Sequence, residues 1–167
     1  MKVVLALGSN LGSRFQTLQG AIDSLFDAPG LRFVAVSPVY ETDPVGGPDD
    51  QKPYLNAVVI AESKLTPETL LDRAQSIENA FGRVRAERWG PRTLDVDIIA
   101  AGDVVSDDPE LTLPHPRAHE RAFVLVPWVE ADPSAVMPGR GPVADLLKGL
   151  DQSGVRLRQD LKLQGPD

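Results

Sequence analysis

The chain has 167 residues, of which 42% are hydrophobic and 25% are charged, and these fractions are typical of one soluble globular domain. Its formal net charge of −7 argues against a broad nucleic-acid surface, because binding to a phosphate backbone needs accumulated positive charge. The chain contains no cysteine, which excludes disulfides and thiol nucleophiles and favours a reducing cytoplasm, and no apolar run approaches the roughly 20 residues of a membrane span.

Residues 1–40 predict a strand, a helix and a second strand. Residues 3–8 are apolar throughout, as in a strand that is buried on both faces. Apolar residues at helical spacing follow, with Ser13 as a candidate N-cap and Pro29-Gly30 as the end of the helix. β-Branched and aromatic residues then favour a strand over residues 31–40.

A long polar loop and a third strand come next. Residues 41–53, ETDPVGGPDDQKP, are too many for an ordinary connection in a compact domain, which favours a functional loop. Residues 54–61 predict a strand in which Tyr54 and Asn56 share one face. The Asn56 amide offers a donor and an acceptor side by side, which suits the edge of a planar heterocycle. Ordinary packing is the alternative for both residues.

The second helix is predicted to open at Thr66, an N-cap followed by proline and glutamate, and to end at Gly82. Its buried stripe consists of Leu70, Ala74, Ile77 and Phe81. Gln75 and Glu78 lie three positions apart beside that stripe, so both side chains can face one ligand.

Residues 82–98, GRVRAERWGPRTLDVDI, are the most informative stretch of the chain. They place four arginines and a tryptophan before two aspartates: Arg83, Arg85, Arg88, Arg92, Trp89, Asp95 and Asp97. Guanidinium groups match phosphate oxygens in pairs, and cations concentrated in one part of an acidic protein favour a local anion. We interpret the stretch as a lid in which Trp89 covers a flat substrate. A solvated basic loop with Trp89 packed on the core is the alternative.

Asp95 and Asp97 lie two positions apart on a strand predicted over residues 94–101, so their carboxylates point to one face, roughly 7 Å apart. The alternating apolar residues Leu94, Val96 and Ile98 then face the core. Two such carboxylates can hold one Mg²⁺ or bridge two, with substrate phosphates as further ligands. A solvent-facing acidic pair is the alternative, but the neighbouring arginines favour magnesium-assisted transfer of phosphate.

The C-terminal third has weaker patterning. Gly102-Asp103 suggests a hairpin turn, residues 111–113 a brief strand, and residues 115–131 a segment that is helical in parts and interrupted at Pro127. We expect one domain over residues 1–167, with a polar tail from about residue 155.

Two further side chains in this region are candidates for ligand contact. His115 lies between prolines near Arg121, where either a structural role or a contact with nucleotide phosphates fits. Phe123 could stack on a planar ring or simply pack in the core.

The order strand, helix, strand, strand, helix, strand is the split βαβ order of the ferredoxin-like class. We therefore expect an α+β fold, a mostly antiparallel sheet with helices packed on both sides. The sequence GSNLG at residues 8–12 lacks the Lys-Ser/Thr of a Walker loop, and protein-kinase signatures are missing. An ATP site in this chain would therefore have another design.

Several motifs together resemble the 6-hydroxymethyl-7,8-dihydropterin pyrophosphokinase family of folate biosynthesis. They are LGSNLG at 7–12, YLNA at 54–57, RWGPRTLDVDI at 88–98, LPHP at 113–116 and RAF at 121–123. The resemblance implies a ferredoxin-like cytoplasmic enzyme that moves the β,γ-pyrophosphate of ATP to the pterin hydroxymethyl group and releases AMP. It also implies two Mg²⁺ ions, and we expect a monomer that binds neither nucleic acid nor membrane.

The resemblance assigns individual residues to parts of the site. The pterin pocket falls on Thr42, Pro44, Val45, Tyr54, Asn56, Trp89 and Phe123. The ATP site falls on Gln75, Glu78, Arg85, Arg88, Arg92, Ile98, Thr112, His115 and Arg121. The metal ions fall on Asp95 and Asp97, and Arg83 and Arg92 match catalytic arginines.

The chain departs from the family pattern at some positions, and two other functions stay open at this point. Glu110 stands where some relatives carry a basic residue, and Asp43 where a small residue or proline is common. A ferredoxin-like ligand-binding or regulatory module without catalysis is one alternative, because a fold does not fix a function. A two-metal nucleotidyltransferase that uses the same carboxylates is the other.

Overall fold

The computed structural model describes residues 1–10, 13–43, 53–82 and 94–166, which form a three-layer α+β fold. The strands are β1 (Lys2–Ser9), β2 (Leu31–Val36), β3 (Tyr40–Thr42), β4 (Tyr54–Ser63), β5 (Asp95–Ala101), β6 (Ser106–Asp108), β7 (Leu111–Leu113), β8 (Val136–Met137), β9 (Gly141–Pro142) and β10 (Val155–Leu157). The helices are α1 (Arg14–Leu25), α2 (Pro67–Gly82), α3 (Ala122–Ala131) and α4 (Val143–Leu147), with a 3₁₀ turn at Ala118–Glu120. None of the described helices is long and apolar enough to cross a membrane.

The main sheet has six strands, in the order β10-β3-β4-β1-β5, with β2 beside β3 on the same edge of β4. Every pairing in it is antiparallel. Two small hairpins, β6–β7 and β8–β9, lie outside it. The order β5-β1-β4 followed by β2 and β3 is that of the split βαβ unit, which confirms the predicted ferredoxin-like fold.

The two faces of the sheet are covered by different helices. Helices α1 and α2 pack on one face through a core that includes Leu5, Leu18 and Leu70. Helices α3 and α4 cover part of the other face through a core that includes Trp128 and Val58. Helices thus lie on both sides of the sheet, as predicted.

The predicted strand over residues 31–40 is wrong in one respect, since the structure has two strands there. β2 ends at Val36 and β3 begins at Tyr40. Between them the Ser37 hydroxyl accepts a hydrogen bond from the Val58 N–H at 2.9 Å. Pro38 has no N–H to give to a sheet ladder, so the strand cannot continue through it.

Of three predicted helix features, the structure confirms the N-cap of α2 and differs from the other two. Ser13 precedes α1 as expected, but its side chain makes no capping hydrogen bond. Thr66 does cap α2, because its hydroxyl accepts the Thr69 N–H at 3.2 Å. Pro127 does not interrupt α3. The helix continues because Val124, Leu125 and Trp128 are buried against the sheet, and that burial outweighs the missing hydrogen bond.

The residues after position 154 pack against the domain. β10 pairs with β3 at the edge of the sheet, and the Arg158 N–H donates to the Val39 carbonyl at 2.9 Å. Leu163 is buried in the core between the sheet and α1–α2. Gln19 and Gln164 exchange two hydrogen bonds, of 3.0 and 3.1 Å. The segment from Val155 therefore adds an edge strand and further core contacts to the sheet.

Candidate active site

A cavity of about 220 Å³ lies on the α3 face of the sheet, between the first turn of α3 and the strands β3, β4, β1 and β5. Its lining combines small residues, an amide, aromatic rings and charges. The lining residues are Ala6, Leu7, Gly8, Thr42, Asp43, Tyr54, Asn56, Asp95, Asp97, Arg121, Phe123 and Val124. The cavity thus collects predicted pterin, ATP and metal residues from distant parts of the sequence.

The two aspartates reach this cavity because of strand periodicity. Asp95 and Asp97 pair with Gly8 and Ala6 of β1 and are half-buried on the cavity face. The residues Leu94, Val96 and Ile98 are buried in the core on the other face. The predicted alternation along β5 is therefore confirmed.

Hard carboxylate oxygens on one open face are suitable ligands for Mg²⁺. The described residues contain no cluster of three or more His, Cys, Asp or Glu side chains that could hold a metal ion alone. An ion held by Asp95 and Asp97 would therefore take its remaining ligands from water or substrate oxygens, as magnesium sites for phosphate substrates commonly do.

Glu78 holds the strand on which the two aspartates lie. Its Oε2 accepts the Val96 N–H at 2.9 Å. Val96 is the residue between Asp95 and Asp97, so this bond from α2 fixes the backbone at the centre of the acidic pair. Glu78 thus has a positioning contact that its spacing on α2 did not predict.

A buried amide forms the opposite wall. Asn56 is only 8% exposed and Thr42 only 4%. The Asn56 Nδ2 donates a hydrogen bond to the Thr42 Oγ1, across the pairing of β3 with β4. Tyr54 lines the cavity from the same face, as predicted. The amide of Asn56 is therefore held in one orientation by a neighbouring strand.

Gly8 lies directly beneath this amide. A Cβ at Gly8 would come within 2.8 Å of the Asn56 Oδ1 and 3.5 Å of the Tyr54 ring. Glycine at this position gives the cavity its floor, because any larger side chain would displace Asn56.

The first turn of α3 contributes an aromatic ring and a cation. The Arg121 guanidinium carbon lies 5.6 Å from the centre of the Phe123 ring, within the range of a cation–π contact. Arg121 is also the residue that precedes α3. Both side chains line the cavity, so one residue could contact phosphate oxygens and the other a planar ring.

His115 lies next to the acidic pair. Its N–H donates to the Ile99 carbonyl at 2.9 Å, and its Nδ1 accepts the Arg117 N–H at 3.2 Å. Burial lowers the pKa of His115; the Arg121 and Arg117 charges act in the same direction and the Asp97 charge opposes them. A neutral His115 whose Nδ1 accepts a hydrogen bond carries its proton on Nε2, which can then act as a donor.

Three further predicted site residues, like Glu78 and His115, are not among the residues that line this cavity. The Ile98 side chain is buried in the core on the opposite face of the sheet. The Thr112 hydroxyl donates to the Asp108 carbonyl at 3.0 Å within the β6–β7 hairpin. Gln75 is exposed on α2. Their assignment to an ATP site stays a prediction.

Several predicted residues lie outside the described residues. They are Pro44, Val45, Arg83, Arg85, Arg88, Trp89 and Arg92. Their roles also stay predictions, and the interpretation of residues 82–93 as a lid rests on the sequence alone.

Sequence reasoning missed some residues that border the site. The sequence predicts Gly8 only as the end of a strand and part of a motif, and Asp43 only as a departure from a family pattern. Ser9 and Asn10, which follow Gly8, are fully buried, and the polar atoms of both side chains have no hydrogen-bond partner among the described residues. Buried polar groups without partners are rare and often mark functional positions. The motif GSN contained these residues, but spacing alone does not reveal that their side chains are buried.

Comparison with known proteins connects this geometry to a family. The sequence model of the family described as 7,8-dihydro-6-hydroxymethylpterin-pyrophosphokinase (HPPK) matches residues 4–133. A 2-amino-4-hydroxy-6-hydroxymethyldihydropteridine pyrophosphokinase of Mycobacterium bovis is 47% identical over 93% of this chain and 89% of its own length. The protein of the same name from Methylorubrum extorquens is 46% identical over 92% of this chain and 96% of its own length.

Solved structures share the fold at much lower identity. A Plasmodium falciparum HPPK-DHPS with pteroate superimposes with a TM-score of 0.67 at 14% identity and covers 88% of this chain. Another HPPK-DHPS in complex with substrates also gives a TM-score of 0.67, at 11% identity. This chain spans 42% of the length of each of those two chains, so the likeness is to one part of a larger protein.

Proposed function

Since this chain belongs to the 7,8-dihydro-6-hydroxymethylpterin-pyrophosphokinase family, we propose that the cavity on the α3 face is its active site. The chain is an enzyme of folate biosynthesis that transfers pyrophosphate from ATP to 6-hydroxymethyl-7,8-dihydropterin. The observation that carries the proposed location is the meeting of Asp95 and Asp97 with the buried Asn56 in one cavity.

We propose that the pterin lies between the Asn56 amide and the Phe123 ring. Asn56 uses one N–H for Thr42, so its carbonyl oxygen and its second N–H can pair with the edge of the heterocycle. Phe123 offers an aromatic face to the flat pterin ring. The Arg121 guanidinium contacts the Phe123 ring and helps to fix its position. Tyr54 adds apolar contact beside Asn56. Trp89, Pro44 and Val45 belong to the same pocket by position in the sequence.

We propose that the triphosphate of ATP lies between the acidic pair and the residues before α3. Arg121 supplies positive charge, and neutral His115 supplies an Nε2–H donor for a phosphate oxygen. The sequence adds Arg83, Arg85, Arg88 and Arg92 as further phosphate ligands, with Arg83 and Arg92 next to the transferred group. Gln75, Glu78, Ile98 and Thr112 belong to the same nucleotide site by position in the sequence.

Asp95 and Asp97 would hold two Mg²⁺ ions, which supply charge neutralisation of the phosphates and polarise the hydroxymethyl oxygen. The side chains of the protein then contribute by holding the two substrates in the correct relative position. Asn56 and Phe123 orient the hydroxymethyl group of the pterin, while Arg121 and His115 fix the phosphates. Little covalent chemistry is required of side chains in such a transfer, so the alignment of two substrates accounts for most of the rate.

The test combines a product assay with matched variants. Wild type with ATP, Mg²⁺ and reduced hydroxymethylpterin should release AMP, which chromatography distinguishes from ADP. Asp97→Asn should keep the fold and lose turnover by several orders of magnitude, about the size expected for loss of a metal ligand. Asp103→Asn, on an exposed turn after β5, is the control and should retain wild-type turnover. Full activity of Asp97→Asn would refute the proposed location.

We further propose that the enzyme acts as a monomer in the cytoplasm, where ATP and the reduced pterin are both present. Size-exclusion chromatography with light scattering at the concentration of the activity assay tests the first part. A mass near 18.0 kDa is expected. A mass of twice that value or more would contradict it.

A further inference from the structure

The strand that carries Thr42 is short and depends on its neighbours. β3 has three residues, Tyr40–Thr42. On one side Thr42 pairs with Tyr54 of β4, and on the other side it pairs with Val155 of β10. A strand with this few ladder hydrogen bonds is held only weakly. The position of Thr42 therefore depends on both neighbouring strands, β4 and β10.

A cluster of arginines also surrounds β3, and we call it the Glu41 cluster. It consists of Glu41 with Arg14, Arg156 and Arg158. The Glu41 carboxylate lies 2.9 Å from Arg158, 3.1 Å from Arg14 and 3.6 Å from Arg156. Its side chain is only 21% exposed, so these contacts are better shielded from solvent than an ordinary surface ion pair.

The Glu41 cluster connects β3 to two other parts of the fold. Arg14, from α1, also donates to the Pro53 carbonyl at 2.8 Å, just before β4 begins. Arg156, from β10, binds both oxygens of the Asp43 carboxylate, at 3.1 and 3.3 Å. Asp43 follows Thr42 and lines the cavity. Arg156 therefore neutralises a carboxylate at the rim of the site.

We propose that the C-terminal strand β10, through Arg156 and Arg158, positions Thr42 and Asp43 for binding of the pterin. Thr42 in turn orients Asn56 through their hydrogen bond. Arg156 and Arg158 are positioning residues, since they act through Glu41 and Asp43. They lie beyond residues 4–133, which the family model matches, so nothing in the match assigns them a role. The inference rests on the proposed pterin site.

The test measures KM for each substrate with Arg156→Ala and Arg158→Ala in the full-length chain. We expect KM for the pterin to rise about fivefold, which corresponds to about 1 kcal/mol, while kcat and KM for ATP stay within about twofold. Arg156 and Asp43 are exposed, so loss of their pair should change the melting temperature little. Arg156→Lys keeps the positive charge but loses the paired N–H donors that bind both Asp43 oxygens, so it should reverse the rise in pterin KM only in part.

A control and a reference variant make the outcomes distinguishable. Lys148→Ala breaks an exposed ion pair with Asp145 in α4 and should change neither KM. Asn56→Ala tests the proposed pterin site directly. If Asn56→Ala raises the pterin KM but the arginine variants do not, the positioning inference is wrong and the site stands. If Asn56→Ala also has no effect, the proposed site itself fails.

Two other results would overturn the positioning inference. An equal rise of both substrate KM values would mean that the arginines act on the fold in general. A pterin KM as high in Arg156→Lys as in Arg156→Ala would mean that the charge of Arg156 is not the cause.

Discussion

Replacement of Gly8 by alanine is the sharpest test of the cavity floor. The new Cβ would lie 2.8 Å from the Asn56 Oδ1, which is closer than Cβ atoms approach oxygen in folded proteins. Gly8 lies on β1 without a positive φ, so alanine itself fits the backbone there. The cost of the substitution therefore falls on Asn56, whose amide must rotate or shift.

The size of the effect follows from how Asn56 is held. A shift of its amide weakens the hydrogen bond to the Thr42 hydroxyl, at a cost of about 1 kcal/mol. The gain from reduced freedom of the unfolded chain, about 0.4–1 kcal/mol for Gly→Ala, offsets most of that cost. The melting temperature should therefore change by no more than about 4 °C. Misplacement of a positioning group by about 1 Å can cost about a hundredfold in rate, so kcat/KM for the pterin should fall about 10- to 100-fold.

Steady-state AMP formation at varied pterin and saturating Mg²⁺-ATP measures this effect. Gly149→Ala is the matched control, because a Cβ there meets no atom within 4 Å, and it should be neutral. Addition of Gly8→Ala to Asn56→Ala should cost little more than Asn56→Ala alone, since the group that is displaced is then absent. Wild-type kcat/KM in Gly8→Ala, or full additivity in the double variant, would refute the reasoning.

Substitutions at three further positions test other parts of the proposed site. Glu78→Ala removes the acceptor of the Val96 N–H and should reduce turnover. Glu78→Gln keeps an accepting oxygen and should retain most of the wild-type turnover. Equal losses in the two variants would contradict a positioning role. His115→Ala should raise KM for ATP about tenfold or more, which is the value of one hydrogen bond to a charged group, and should leave KM for the pterin unchanged. A loss of kcat at saturating ATP would instead indicate that His115 takes part in the chemical step. Phe123→Leu should raise KM for the pterin about 2- to 10-fold because stacking is lost, while Phe123→Tyr keeps the ring and should not raise it. Equal KM values in the two variants would exclude a stacking role.

The central part of the site could be predicted because its residues lie on strands with a period of two. The spacing of Asp95 and Asp97 placed them on one face, and the same rule placed Tyr54 and Asn56 together. That the two pairs share a single face is a consequence of the β5-β1-β4 order, which the order of elements along the chain also indicated. Local pattern and topology therefore agreed in this part of the fold.

The contacts at the sheet edge could not be predicted in the same way. Arg156 and Asp43 are 113 positions apart, and β10 is a strand of three residues with an exposed Leu157 and no clear alternation. Its place beside β3 depends on ion pairs and main-chain bonds between distant segments, which have no periodic signal in the sequence. Pro38 is a signal in the sequence for the break before β3, but the hydrogen bond of the Ser37 hydroxyl with the Val58 N–H at that break is known only from the fold.

The charges of the cavity determine the conditions under which a polyphosphate can enter it. Among the described lining residues, Asp43, Asp95 and Asp97 are acidic and Arg121 is the basic one. Arg156 neutralises Asp43 from outside, while the pair on β5 and Arg121 line the cavity itself. The two carboxylates of that pair repel the phosphates of ATP unless cations lie between them, because like charges in a partly buried site are poorly screened. We therefore expect a divalent cation to strengthen ATP binding beside this pair, and calorimetry that shows equal ATP affinity with and without Mg²⁺ would contradict it.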